Sequence, residues 1–113
     1  KINRPHGLIL KEDLNSINEL DLAATLVENL QDLKMFDNLK TLDLNLTDIT
    51  DISALSEVKS LEELKLAQNG IDDISPIAEL KNLKILNLNK NNISDIKSLE
   101  KLKFADNLQK LYL

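Results

Sequence analysis

The chain has no cysteine and no tryptophan, and Phe36, Phe104 and Tyr112 are its only aromatic residues. Without thiols there is neither a disulfide framework nor a thiolate metal site. With so few aromatics the core must be aliphatic, and any binding face is short of the side chains that usually anchor interfaces. A single histidine, His6, sits in "NRPHGL" near the start. A histidine-based catalytic triad would need a nucleophile and an orienting acid brought to it, and no G-x-S-x-G elbow occurs. No P-loop, G-x-G-x-x-G or metal-spaced histidine pair is present either. The chain is therefore expected to be no enzyme, with no catalytic residue, no metal ligand set and no cofactor. No stretch approaches the ~18 consecutive apolar residues of a membrane span, which excludes membrane insertion by a helix. The formal charge of −5 argues against nucleic acid, whose nonspecific affinity comes from clustered Lys and Arg. The opening Lys1 is expected to be a processed or trimmed start, so that a signal peptide could have preceded it.

Hydrophobic residues make up 42% and charged residues 29% of the 113 residues, an ordinary balance for one soluble domain able to bury a core. The organising feature is a repeat. Leu20, Leu42, Leu64 and Leu86 lie 22 residues apart, each followed two positions later by Leu22, Leu44, Leu66 or Leu88. In phase with them run the columns Val27, Ile49, Ile71, Ile93; Leu30, Ile52, Ile74, Ile96; Leu33, Leu55, Ile77, Leu99; Phe36, Val58, Leu80, Leu102; and Leu39, Leu61, Leu83. Within a unit the spacing changes character. Leu86 and Leu88 alternate with polar residues, as a strand buried on one face requires. From Ile74 through Ile77, Leu80 and Leu83 the apolar step is three, whereas an α-helical stripe would mix three and four. A step of three suits a 3₁₀-like or irregular return segment.

In "NLKILNLNKNNISDI", Asn91 follows Leu86 by five residues, and the same offset gives Asn69, Thr47 and Thr25. At that point the strand bends inward, so neighbouring backbone groups lose ladder partners inside an apolar stack. An amide or hydroxyl can satisfy them unit after unit, which predicts a structural ladder of Thr25, Thr47, Asn69 and Asn91. Asp51, Asp73 and Asp95 recur at the same period before the return segments. They are expected to cap backbone N–H groups there, in preference to binding Ca²⁺. Asn45-Leu46-Thr47 and Asn92-Ile93-Ser94 fit the N-glycosylation sequon, which matters only in a secreted eukaryotic protein.

"LKILNLNKNNISDI", "LEELKLAQNGIDDI" and "LKTLDLNLTDITDI" resemble the L-x-x-L-x-L-x-x-N-x-I pattern of the leucine-rich repeat family, with Thr47 replacing Asn in the last. The 22-residue length and linkers such as "DISPIAELKNL" are similar to the short subclass of internalins and other bacterial surface proteins, found also in intracellular phosphatase-regulating subunits. The resemblance implies an α/β solenoid: a short right-handed superhelix with a parallel sheet on its concave side and a 3₁₀ or irregular convex side. Residues 1–113 are expected to form one domain, with a lead-in over 1–13 and about five repeats over 14–113, as part of a larger protein. The first unit is degenerate, with Ala23, Ala24 and Thr25 leading to no Asn, as suits a terminal repeat. At the other end "LKFADNLQKLYL" echoes "LKMFDNLKTLDL", which moves the last strand three residues off the lattice and makes the last repeat about 25 residues long. The apolar ending "LYL" is expected to be covered by continuation of the chain or by self-association.

The resemblance implies recognition of a protein partner, of unspecified identity, in a bacterial surface or secreted protein. An intracellular regulatory or scaffold module in the cytoplasm and a structural spacer remain alternatives. Strand alternation puts Glu19, Thr41, Glu63, Ile85 and Lys110 in one outward column and Asp21, Asp43, Lys65, Asn87 and Tyr112 in the next. Ala23, Asn45, Ala67 and Asn89 follow, then Ala24, Leu46, Gln68 and Lys90. The expected partner-binding residues are Asp43, Asn45, Glu63, Lys65, Ile85, Asn87, Asn89, Lys90 and Tyr112.

Overall fold

Leu20, Leu42, Leu64, Leu86 and Leu111 stand at the centres of five short strands in a computed structural model that describes residues 11–94, 100 and 107–113. The strands are β1 (Glu19–Asp21), β2 (Thr41–Asp43), β3 (Glu63–Lys65), β4 (Ile85–Asn87) and β5 (Lys110–Tyr112). They form one parallel sheet in the order β1-β2-β3-β4-β5, so each strand pairs only with its neighbours in sequence. That is the arrangement of a solenoid, in which every unit buries its apolar edge against the next. The register joins Leu20 to Leu42, Leu42 to Leu64 and Leu64 to Leu86. It then joins Leu86 to Leu111, three positions beyond the 22-residue lattice.

The step of three materialises as 3₁₀ helices at Gln31–Met35, Ser53–Glu57 and Ser75–Glu79. Side chains three apart eclipse one another in this geometry, so each such helix buries a single anchor, Leu33, Leu55 or Ile77. Each helix ends when the next backbone N–H, of Phe36, Val58 or Leu80, donates to that anchor's carbonyl. A five-residue helix, α1 (Lys11–Asn15), crosses from the expected lead-in into the first repeat and buries Leu14.

The core is the stack of leucine and isoleucine columns. Leu42, Leu44, Leu64, Leu66, Ile71, Ile74 and Leu86 are wholly shielded from solvent, whereas Leu20 and Leu22 in the first unit are half-buried. Leu111, their counterpart in β5, is 37% exposed. A fully buried leucine contributes about 1.5–3 kcal/mol, so the interior units carry most of the stability. His6 and Asp95, and the column members Ile96, Leu99 and Leu102, lie outside the described residues.

Candidate functional site

The outer face of the sheet is built from side chains that alternate with the buried leucines. The strand register sets Glu19, Thr41, Glu63, Ile85 and Lys110 side by side, and Asp21, Asp43, Lys65, Asn87 and Tyr112 in a second row. Neighbouring strands lie about 4.8 Å apart, so each row is a continuous line of side chains. The face is graded in charge, from Glu19, Asp21 and Asp43 at one end, through Glu63 and Lys65 on the central strand, to Lys110 at the other. Tyr112 is 44% exposed, Ile85 and Asn87 are half-buried beside it, and Lys90 is exposed. Lys65 Nζ approaches the Glu63 carboxylate at 3.7 Å along the same strand. At the entry edge of the sheet Glu62 lies between two lysines, 3.5 Å from Lys40 and 3.3 Å from Lys84. The hydrogen bond from Lys84 holds the Glu62 carboxyl below the usual range, aided by the positive charges of Lys84 and Lys40 against a smaller opposing effect of desolvation.

Several polar groups of this face serve the chain's own backbone. The Ala23 N–H donates to Asp21 Oδ1, Asn45 N–H to Asp43 Oδ1, and Asn89 N–H to Asn87 Oδ1, each at 3.0 Å. These are Asx turns, in which a short side chain accepts from the backbone two residues on. Lys65 holds the equivalent place in the third unit and offers no acceptor. There the Ala67 N–H donates instead to Asn45 Oδ1 of the preceding unit, at 2.7 Å. Asp43, Asn45 and Asn87 are thereby oriented by the fold, and only part of each side chain remains for a partner.

Beyond the strands the outward positions are less exposed. Ala67, placed outward by simple alternation, is buried, and Asn89 is half-buried. The following residues, Ala24, Leu46, Gln68 and Lys90, all take left-handed backbone with φ of 57–59°. Parallel pairing nonetheless continues through them, since Leu46 N–H donates to Ala67 C=O at 3.0 Å and Gln68 N–H to Asn89 C=O at 2.8 Å. The chain thus turns inward only after its ladder has run past the strand.

At the turn itself, the Asn69 amide bridges two units. Its Oδ1 accepts from Thr47 N–H at 3.0 Å, Thr47 Oγ1 at 3.3 Å and Ile49 N–H at 3.3 Å. Its Nδ2 donates to the carbonyls of Leu44 and Leu66 at 3.0 Å and of Ala67 at 3.3 Å. Asn91 repeats the motif, accepting from Ile71 N–H at 3.1 Å and donating to Leu66, Leu88 and Asn89 carbonyls at 2.8, 3.0 and 3.3 Å. The hydroxyls do less: Thr25 Oγ1 donates to Leu22 C=O of its own unit at 2.6 Å, and Thr47 Oγ1 gives its single proton mainly to Leu44 C=O at 2.8 Å, with Asn69 Oδ1 of the next unit the longer contact.

A second polar ladder escaped the sequence reading. Asn38, Asn82 and Asn107 donate through Nδ2 to the carbonyls of Asn15, Lys59 and Lys81 at 2.8, 3.1 and 3.0 Å, and Ser60 Oγ donates to Leu39 C=O at 2.6 Å. The signal was the polar residue preceding each of Leu39, Leu61, Leu83 and Leu108. On the return side Asp51 and Asp73 accept from the N–H of Ser53 and Ser75 at 2.9 Å, one position ahead of the helix N-cap. The bonds from Ser53, backbone first, hold the Asp51 carboxyl below its ordinary value. Among the described residues no group of three or more acidic or histidine side chains could hold a metal ion, and no helix is long and apolar enough to cross a membrane.

The model of Leucine Rich repeats (2 copies) matches residues 37–79 and 59–101. No curated protein sequence matches the chain significantly. Among solved structures the chain is similar to an internalin (inlF) from Listeria monocytogenes, with 40% identity and a TM-score of 0.82 over 93% of this chain and 30% of that one. It is similar as well to internalin C2 of the same organism, at 34% identity and TM-score 0.76 over 88% of this chain and 44% of that one. A leucine-rich repeat protein of Leptospira interrogans matches at 31% identity and TM-score 0.75, over 89% and 26% of the two chains. The chain thus spans less than half the length of each of these three proteins. With five parallel strands in register, 3₁₀ returns and an asparagine ladder between them, the chain belongs to the leucine-rich repeat family, in its internalin-like form.

Proposed function

We propose that the chain is a protein-recognition module that binds its partner through the concave outer face of the sheet, within a bacterial surface or secreted protein. The observation that carries this reading is the continuous double row of side chains, which ends in a mixed polar and apolar patch: Lys65, Ile85, Asn87, Lys90 and Tyr112. Such a mixture, with an aromatic among its members, is what interface cores favour. The acidic end, with Glu19, Asp21 and Asp43, supplies little area to bury and would act on encounter by steering. A binding role rather than catalysis, and a surface location, draw support from the internalin likeness. One observation favours a structural spacer instead: Asp43, Asn45 and Asn87 each bond the chain's own backbone.

Pull-downs from host and bacterial extracts with the wild-type chain, Tyr112→Ala and the back-face variants Lys59→Glu and Lys81→Glu separate these readings. Tyr112→Ala is expected to weaken a captured partner by more than ~1 kcal/mol while the back-face variants bind normally. Normal binding by Tyr112→Ala with loss in Lys59→Glu or Lys81→Glu would place recognition on the other side.

A further inference from the structure

The ladder asparagine of the third unit is followed by glycine, and Asn69-Gly70 is the one Asn-Gly dipeptide in the chain. The site is tight: a Cβ at Gly70 would stand 3.2 Å from Thr50 Cγ2 of the preceding unit. The equivalent positions of the other units carry Leu26, Asp48 and Asn92, so only in the third unit does a residue without a side chain follow the ladder asparagine. That pairing has a chemical consequence. With no Cβ to obstruct it, a glycine backbone nitrogen can approach the side-chain carbonyl carbon of the asparagine before it, and asparagine is among the thermolabile residues for this reason.

We propose that Asn69-Gly70 is a deamidation site that the fold holds closed, so that conversion proceeds only while the repeat is open and then prevents its return. In the reaction the deprotonated Gly70 nitrogen attacks Asn69 Cγ. A C–N bond forms, the Cγ–Nδ2 bond breaks, and Nδ2 leaves as ammonia after taking up a proton. Water then opens the cyclic imide. Cleavage of the new bond yields aspartate, and cleavage of the original peptide bond yields isoaspartate. Water is the only co-reactant and nothing is oxidised or reduced.

The folded geometry opposes each step. Attack requires Cγ to swing onto the Gly70 nitrogen, yet the amide is held at both ends, through Oδ1 by Thr47 and Ile49 and through Nδ2 by Leu44, Leu66 and Ala67. Departure of Nδ2 would break the bonds it donates. The Gly70 N–H is itself engaged by Ile49 C=O at 3.3 Å. An unfolded chain has none of these restraints, and a near-attack geometry is then one of many it visits.

The product no longer fits the turn. An ionised carboxylate accepts hydrogen bonds and donates none, so it would face three carbonyl oxygens where Nδ2 now donates. Isoaspartate adds a methylene to the main chain as well, which displaces the register beyond it. Time spent open is thereby recorded as a permanent loss of chains able to refold.

The test holds the full chain in native buffer and in concentrated guanidinium at one pH and temperature. Peptide mapping by mass spectrometry follows conversion at residue 69, with Asn91, the same ladder position without a following glycine, as internal reference. Conversion at Asn69 is expected to run at least ~10-fold faster in denaturant than in the native chain, since a closed state protects in proportion to how rarely it opens. In denaturant it should also outpace Asn91, and Gly70→Ala should slow it. After removal of denaturant, the fraction regaining the native circular dichroism spectrum should fall in step with the converted fraction. Equal rates in the two conditions, no slowing by Gly70→Ala, or full refolding of converted chains would each overturn the proposal.

Discussion

Replacing Asn69 by alanine removes all six polar contacts of its amide at once, yet the loss is unevenly shared. The three carbonyls keep other partners: Leu44 C=O retains Thr47 Oγ1, Leu66 C=O retains Asn91 Nδ2, and Ala67 C=O retains the Leu46 N–H. The penalty therefore falls on two donors, the backbone N–H groups of Thr47 and Ile49, on residues that are both buried. An orphaned buried donor costs about 1–3 kcal/mol, with the longer Ile49 bond at the low end, so Asn69→Ala should destabilise the chain by ~2–4 kcal/mol. Asn89→Ala, on the sheet face two residues beyond β4, should change stability by less than ~0.5 kcal/mol. Urea unfolding followed by circular dichroism reads both from the midpoint at constant slope. Equal midpoints for the two variants would refute the assignment of the ladder, because the argument rests entirely on which amide spans the units.

The left-handed turn residues allow a gain in stability. Leu46 is 54% exposed at φ 57°, and Leu46→Gly should raise the unfolding free energy by up to ~1 kcal/mol, and the urea midpoint with it, as relief of left-handed strain outweighs the entropy glycine adds to the unfolded chain. A fall in the midpoint would mean that Leu46 packs more than its exposure indicates. For pH dependence, the Glu62 carboxyl is depressed in the fold, chiefly by Lys84. Its contribution is present above the ordinary carboxylate range and is lost as pH falls through the lower folded value. Glu62→Gln should therefore flatten the loss of stability on the acid side slightly, with less difference at high salt, in urea midpoints collected across that range.

The solenoid could be read from the sequence because its causes are periodic. Seven apolar columns at a 22-residue spacing force identical units to stack, since no single unit can bury its own leucines. The step of three through Ile74, Ile77, Leu80 and Leu83 similarly excluded an α-helical return. Asn69 and Asn91 were legible as a ladder because a turn that recurs inside an apolar stack must repeat its polar solution. Sequence spacing could not show which of a residue's neighbours in space would use its polar atoms. That Asn45 serves Ala67 because Lys65 cannot, and that Asn38, Asn82 and Asn107 bind carbonyls a full unit away, depends on how closely adjacent units approach. Ala67 is shielded although strand alternation points it outward, because how much of a small side chain its neighbours cover is likewise set by the approach of adjacent units. Only the tertiary structure placed Gly70 against Thr50 and tied both ends of the Asn69 amide, because both depend on how closely the second and third units stack.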